Sequence, residues 1–243
     1  MLASFPWYDL PSVRWANDRL WDAMALPGEF VRNLTAEEMW TSDRLGLTQA
    51  CGLDLYLSGA PIEPVAAPVF DLDCDAGRYY SHIIGNRHGR LAAVNALSSR
   101  SGLSALLSMC EPTALVLTGS HLASIEMVRS GAADVAAIYA VTWRIIERDA
   151  PQRVRGVNIV ARSATAPSPP FVGKRGELNQ SLFLALADAL ASPETIESRR
   201  ALCLRGVQPV ERHHYDEVVA EYKSIAKRTP DLLSAQPARN AEG

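Results

Sequence analysis

Between residues 78 and 162 short apolar runs take turns with segments of helical period, and no other feature narrows the fold as much. "YYSHIIGNR" and "RLAAVNAL" read as strands, "SGLSALLSM" as a helix and "TALVLTGS" as a strand. "HLASIEMVRSG" is a helix closed by Gly131. "ADVAAIY" is a strand running into the helix "AVTWRIIERDA", and "VRGVNIVARS" is a further strand. Strands alternating with helices at this spacing predict an α/β fold with largely parallel sheets.

The flanks carry the same signals more sparsely. "MLASFPWY" reads as a short strand. "DLPSVRWANDRLWDAM" reads as a helix with Asp9 as cap, Pro11 in its first turn, and Val13, Ala16, Leu20 and Met24 on one face. "LTAEE" offers a capping box, Thr35 with Glu38. "RLGLTQACG" is a short buried strand, and the prolines of "EPVAAPVFD" make it extended. "ATAPSPPFVGKRG" breaks the rhythm as an extended crossover. Beyond it the chain reads as helical. "ELNQSLFLALADALAS" buries Leu178, Leu182, Leu186 and Leu190, "PETIESRRALCLRG" and "YDEVVAEYKSIAKR" follow, and the tail "SAQPARNAEG" frays. Two extended crossings, near Pro68–Gly77 and Ser163–Gly176, predict two lobes: 1–77 with 163–243, and 78–162. A ligand in such a fold sits at the carboxyl ends of strands, in the cleft between the lobes.

Composition removes several classes of function. A net charge of −3 over 243 residues gives no electrostatic case for nucleic acid or an anionic membrane. No apolar run reaches transmembrane length. "MLASFPWYDL" lacks a basic start and a long apolar core, so the chain as it stands reads as cytoplasmic, and as periplasmic if a leader was trimmed away. Cys51, Cys74, Cys110 and Cys203 lack zinc-site spacing and read as buried thiols. Cys51 and Cys74 would bridge only in an oxidising compartment. Asp71, Asp73 and Asp75 in "DLDCDAG" mimic the start of a calcium loop, but the glycine is one place late and His82 stands where the bidentate glutamate belongs, so the loop reads as solvated. "HHYDE", His213–Glu217, reads as an exposed helix start rather than a metal site. No cofactor and no resident metal are expected.

"SSRSGLSAL" places Ser98, Ser99, Ser101 and Gly102 where a strand turns into a helix. Two readings stand. The hydroxyls cap the helix, or they add donors to its unpaired N–H groups and hold an anion. "TGSH" repeats the device with Thr118, Ser120 and His121 at the next strand–helix junction. Two such mouths facing one point could bind an oxyanion with no lysine or arginine. Nothing marks a nucleophile elbow, so no catalytic residue is assigned.

"WYDLP", "TQACG", "YYSHIIGNR", "SSRSG", "TGSHLASIEMVRSGAADVAAI" and "VTW" together resemble the PhnD-type phosphate/phosphonate substrate-binding proteins, over about residues 1–210. The resemblance implies a two-lobed type II periplasmic binding fold that closes on a small oxyanion and serves an ABC permease. It implies that Ser99, Ser101, Gly102, Thr118, Ser120 and His121 surround the anion, with the anion favouring a protonated His121. It implies that Tyr79 closes over the ligand, and that Trp7, Tyr8, Thr48, Gln49 and Cys51 lie on the cleft side. Aminoalkyl-phosphonate binders carry an acid after the "ADVAA" strand; here Tyr139 holds that place, which argues against an amine-bearing ligand. The alternatives are a cytoplasmic enzyme of the same fold acting on a small carboxylate, and a small-molecule sensor subunit.

Overall fold

Two sheets organise the chain, and the computed structural model describes residues 1–176 and 179–234 of it; Leu178 and the tail beyond Ser234 lie outside them. The strands in chain order are β1 (Leu2–Ala3), β2 (Glu29–Phe30), β3 (Leu45–Gln49), β4 (Ile62–Phe70), β5 (Arg78–Tyr79), β6 (Ser81–Gly85), β7 (Leu91–Val94), β8 (Ala114–Leu117), β9 (Val135–Tyr139), β10 (Ile159–Arg162), β11 (Ala166–Pro167), β12 (Phe171–Lys174) and β13 (Leu204–Gln208). The α-helices are α1 (Arg14–Ala23), α2 (Ala36–Thr41), α3 (Asp54–Leu57), α4 (Ala105–Leu107), α5 (His121–Arg129), α6 (Ala140–Asp149), α7 (Gln180–Ala191), α8 (Ile196–Ala201), α9 (Asp216–Arg228) and α10 (Pro230–Ser234).

One unit comprises Met1–Tyr79 and Thr165–Glu217. Its sheet runs β13-β4-β12-β3-β1-β2, and β5 pairs separately with β11. β1 is parallel to both β2 and β3, whereas β12 and β13 pair antiparallel. The proline-rich segment is therefore no bare crossover, because Phe171–Lys174 enters the sheet between β3 and β4. "CLRG" is not a helix end either. Cys203 turns the chain with φ +55°, and Leu204 begins a strand. The capping box forms as expected, with Glu38 N–H donating to Thr35 Oγ1 at 3.2 Å and Thr35 N–H to Glu38 Oε2 at 2.7 Å. Asp9 does not cap α1. It accepts from Asn17 Nδ2 at 3.0 Å and pairs with Arg32 at 2.7 Å, while a 3-10 turn over Pro11–Val13 leads into the helix. Val13, Ala16, Leu20 and Met24 are buried, as are Leu186 and Leu190 of α7; Leu182 is half-buried.

The second unit comprises Tyr80–Ala164 and the chain from Val218 on. Its sheet runs β10-β6-β9-β7-β8, with β9, β7 and β8 parallel and β6 and β10 antiparallel. Both sheets are thus mixed rather than largely parallel. The expected lobe of 163–243 also divides, since most of α9 belongs here. Ile225 is buried in the core formed by Ile83, Val94, Leu103, Leu106 and Val135. Helical period alone could not say which sheet its apolar face would cover.

Arg100 is 2% exposed, and Glu221 of α9 faces it. Arg100 Nε donates to Glu221 Oε2 at 2.8 Å, and Nη2 to Oε1 at 3.3 Å and to the Ala164 carbonyl at 3.2 Å. Removing one partner of a buried pair leaves an uncompensated charge. Glu221→Gln is expected to lower the unfolding free energy by about 3 kcal/mol, near the bottom of that range because Glu221 retains some exposure. Chemical denaturation checks it, and an unchanged midpoint would show that the pair does not hold α9 in place.

Candidate functional site

The parallel trio β9-β7-β8 sets the site of the second unit. β7 is the middle strand, so the connection from β7 to β8 runs one way and that from β8 to β9 runs back past it. Right-handed crossovers then place α4 and α5 on opposite faces. The three carboxyl ends share one edge, the kind of switch point where open sheets bind ligands. "NALSSRSG" and "TGSH" follow the ends of β7 and β8, and Tyr139 is the last residue of β9.

Ser99 is the N-cap of the first mouth. Its Oγ accepts from Gly102 N–H at 2.9 Å, and its carbonyl accepts from Leu103 at 2.8 Å and Ser104 at 3.2 Å. The bond reaching five residues on widens Arg100–Ser104 into a π-type turn, a distortion common at functional sites. Gly102 lets Asn95 approach the turn closely: a Cβ there would lie 1.8 Å from Asn95 Oδ1, so the amide would have to move aside. Ser101 does not cap. Its Oγ lies 2.9 Å from His121 Nε2 and 3.3 Å from Ser99 Oγ. At the second mouth Ser120 caps α5, accepting from Ala123 N–H at 3.1 Å. Thr118 Oγ1 is committed locally, to the Val94 carbonyl at 3.2 Å and Ser124 Oγ at 2.7 Å. Tyr139 is buried at the end of β9, at the start of α6. Ser101 and His121 are thus the side chains through which the two mouths touch.

Burial favours the neutral form of the His121 ring. Burial lowers its pKa to about 4, and the Ala137 carbonyl opposes that shift only in part. Arg100 lies inside the first mouth, yet Glu221 and Ala164 take its guanidinium. Asn95 and Arg100 were missed in the sequence, because neither residue type marks a site in a strand–helix turn.

In the first unit Gln49 is buried at the end of β3, and its Oε1 accepts Trp7 N–H at 3.0 Å. Thr48 Oγ1 meets Ser4 Oγ at 2.9 Å, and Cys51 N–H donates to Asp54 Oδ2 at 2.9 Å. Tyr8 packs edge-on against Phe70, with ring centroids 5.2 Å apart. Tyr79 is buried. Tyr215 was read as part of an exposed helix start, but it is buried and its hydroxyl donates to the Ser168 carbonyl at 2.9 Å. Burial raises its phenol pKa, and the neighbouring Cys51, Tyr8 and Tyr79 raise it further. Four titratable side chains thus gather in this unit. No disulfide joins any of the four cysteines. Asp71 of the acidic loop pairs with Arg205, and His213 stacks on His214 at 4.2 Å. His82 belongs to β6, where the rings of Tyr80 and Trp143 flank it at 5.4 and 6.0 Å.

A neutral buried histidine has a signature in stability. The folded pKa of His121 lies below its ordinary 6.5, so the unfolded chain takes up the proton first. Its contribution is complete above about pH 6.5 and drains as pH falls towards 4, by about 3 kcal/mol in all. Denaturation at pH 7 and pH 4.5 is expected to show a smaller acid loss in His121→Asn than in wild type. The remainder belongs in part to His82, whose pKa burial also lowers. An equal acid loss in both proteins would contradict a neutral His121.

The family described as "ABC transporter, phosphonate, periplasmic substrate-binding protein" matches residues 64–215. Among solved structures, PhnD1 from Prochlorococcus marinus (MIT 9301), in complex with methylphosphonate, superposes with a TM-score of 0.70 at 13% identity, over 96% of this chain and 98% of that one. PA3383 from Pseudomonas aeruginosa, a binding protein component of an ABC phosphonate transporter, gives 0.67 at 13% identity, over 97% of each chain. XAC2383 from Xanthomonas citri bound to ATP gives 0.65 at 16% identity, over 94% of this chain and 98% of that one. No curated protein matches the sequence. These structures show the fold, the two-lobed α/β architecture of type II periplasmic binding proteins. No described helix is long and apolar enough to cross a membrane. The chain belongs to the phosphonate periplasmic substrate-binding proteins of ABC transporters, solute-binding proteins for small phosphate- or phosphonate-like oxyanions.

Proposed function

We propose that the anionic head of the ligand is held in the second unit, where β7, β8 and β9 end. Ser101 and His121 are its side-chain contacts, and Ser99, Gly102, Thr118, Ser120 and Tyr139 form the surround. The observation that carries this reading is the 2.9 Å contact of Ser101 Oγ with His121 Nε2. It ties two helix starts together through polar groups that cap neither helix. Backbone N–H groups at both starts add the positive ends of the helix dipoles. For the first unit we propose Tyr8, Gln49 and Tyr79 as the ligand-facing set, on family register alone. The partner is an ABC permease and the place of action is the periplasm, as the family's description supports.

Calorimetry with methylphosphonate, phosphite and phosphate tests the assignment. Ser101→Ala is expected to weaken the best of these by roughly 10- to 150-fold, the equivalent of about 1.5–3 kcal/mol for a hydrogen bond to a charged group. Ser101→Asp, which sets a fixed negative charge beside the anion, is expected to abolish measurable binding. Wild-type affinity in a folded Ser101→Asp protein would remove the anion from this site.

A further inference from the structure

We infer that Gln49 and Trp7 make the first unit's share of the site a donor-only surface, which selects ligands whose tail carries a hydrogen-bond acceptor, such as a carbonyl oxygen, over ligands whose tail is apolar or an amine. The inference rests on the ligand-facing role proposed for Gln49, and it adds Trp7 as a second specificity-determining residue.

Gln49 is 1% exposed and is the last residue of β3. A backbone group fixes which way its amide is turned. The Trp7 N–H lies 3.0 Å from one end of that amide, and a backbone N–H can only donate, so the end it meets is Oε1. The NH2 is then the end left over, and no described residue accepts from it. The Gln49 carbonyl is already taken, by Trp40 Nε1 at 3.0 Å. Trp7 itself stands in the 3-10 turn Pro6–Tyr8 that follows β1. Its indole Nε1 is buried and has no hydrogen-bond partner among the described residues. An indole N–H is a donor in every state. A buried donor left unmet is costly, and a ligand acceptor that meets it recovers that cost.

The groups around these two N–H donors do not reverse the polarity. Thr48 Oγ1 and Ser4 Oγ hold each other at 2.9 Å. Asp54, the carboxylate closest to Gln49 in the chain, accepts the Cys51 N–H through Oδ2 at 2.9 Å. Asp9, the one closest to Trp7, is engaged by Asn17 at 3.0 Å and Arg32 at 2.7 Å. The Tyr8 and Tyr79 hydroxyls can give or accept, so they suit either kind of tail. A ligand amine brought here sets N–H against N–H, the arrangement by which polar sites reject a wrong partner.

Three phosphonates with one head and different tails test the inference by calorimetry on the full chain at pH 7. 2-Oxopropylphosphonate carries a neutral carbonyl oxygen where 2-methylpropylphosphonate carries a methyl group, so the pair isolates the acceptor. The ketone is expected to bind at least about tenfold tighter than the methyl compound, with 2-aminoethylphosphonate the weakest of the three. Gln49→Glu keeps an oxygen for the Trp7 N–H and puts a carboxylate oxygen where the NH2 stood. With folding checked by circular dichroism, it is expected to invert the order of ketone and amine. Trp7→Phe, which removes only the indole N–H, is expected to narrow the gap between the ketone and the methyl compound, and it decides the matter if Gln49→Glu does not fold. Equal affinity of ketone and methyl compound in wild type, or an amine as tight as the ketone, would overturn the inference and leave the anion site at Ser101 standing, because all three share its head. If none of the three binds, the two readings fall together.

Discussion

Arg100 is the one charged residue between β7 and the end of α4, and its neighbours are Ser99 and Ser101. A guanidinium there could have faced an anion directly. Glu221 takes it instead, two hydrogen bonds deep, and the Ala164 carbonyl takes a third. Two consequences follow. The first mouth is pinned to α9, so the hydroxyls of Ser99 and Ser101 stand on a loop anchored to the core. The mouth is also stripped of net charge, so an anion held there, as proposed, would meet dipoles and hydroxyls.

A site of that kind needs many modest donors. A helix dipole contributes about 0.3–1 kcal/mol, and a hydrogen bond to an ion about 1.5–3. Micromolar affinity needs about 8 kcal/mol, hence three or four well-aimed donors acting together. In the proposed site two helix starts on one sheet edge would supply them. With Arg100 held by Glu221, the proposed site would discriminate among anions by geometry. A neutral His121 fits that proposal, since a charged imidazolium would favour any oxyanion.

Much of the second unit was legible in the sequence, because alternating strands and helices leave periodic traces. β6 to β9 and α5 lie where apolar period and Gly131 put them. The Thr35–Glu38 box was legible because its bonds are local. Long-range pairings were not. Phe171–Lys174 and Leu204–Gln208 became strands by adding to edges that only the folded sheet offers. The site divides the same way. Caps such as Ser99 and Ser120 are read from their own turn. Tyr215 was missed because its burial comes from Ser168, 47 residues away, and from Tyr8 and Tyr79. The neutral state of His121 could not be read either, since the Ala137 carbonyl and the burial of the ring belong to the packed sheet.

Whether the anion engages His121 is the central question, and nitrogen-15 NMR of the histidine side chains answers it most directly. The chain has five histidines, and His121 is the one in contact with Ser101. Titration with methylphosphonate is expected to move the ring nitrogens of His121 while those of His213 and His214 stay in place. The bound ring is expected to keep the neutral pattern, with one protonated nitrogen. Unmoved His121 resonances at saturation would contradict the account, and a doubly protonated ring would contradict its electrostatic basis.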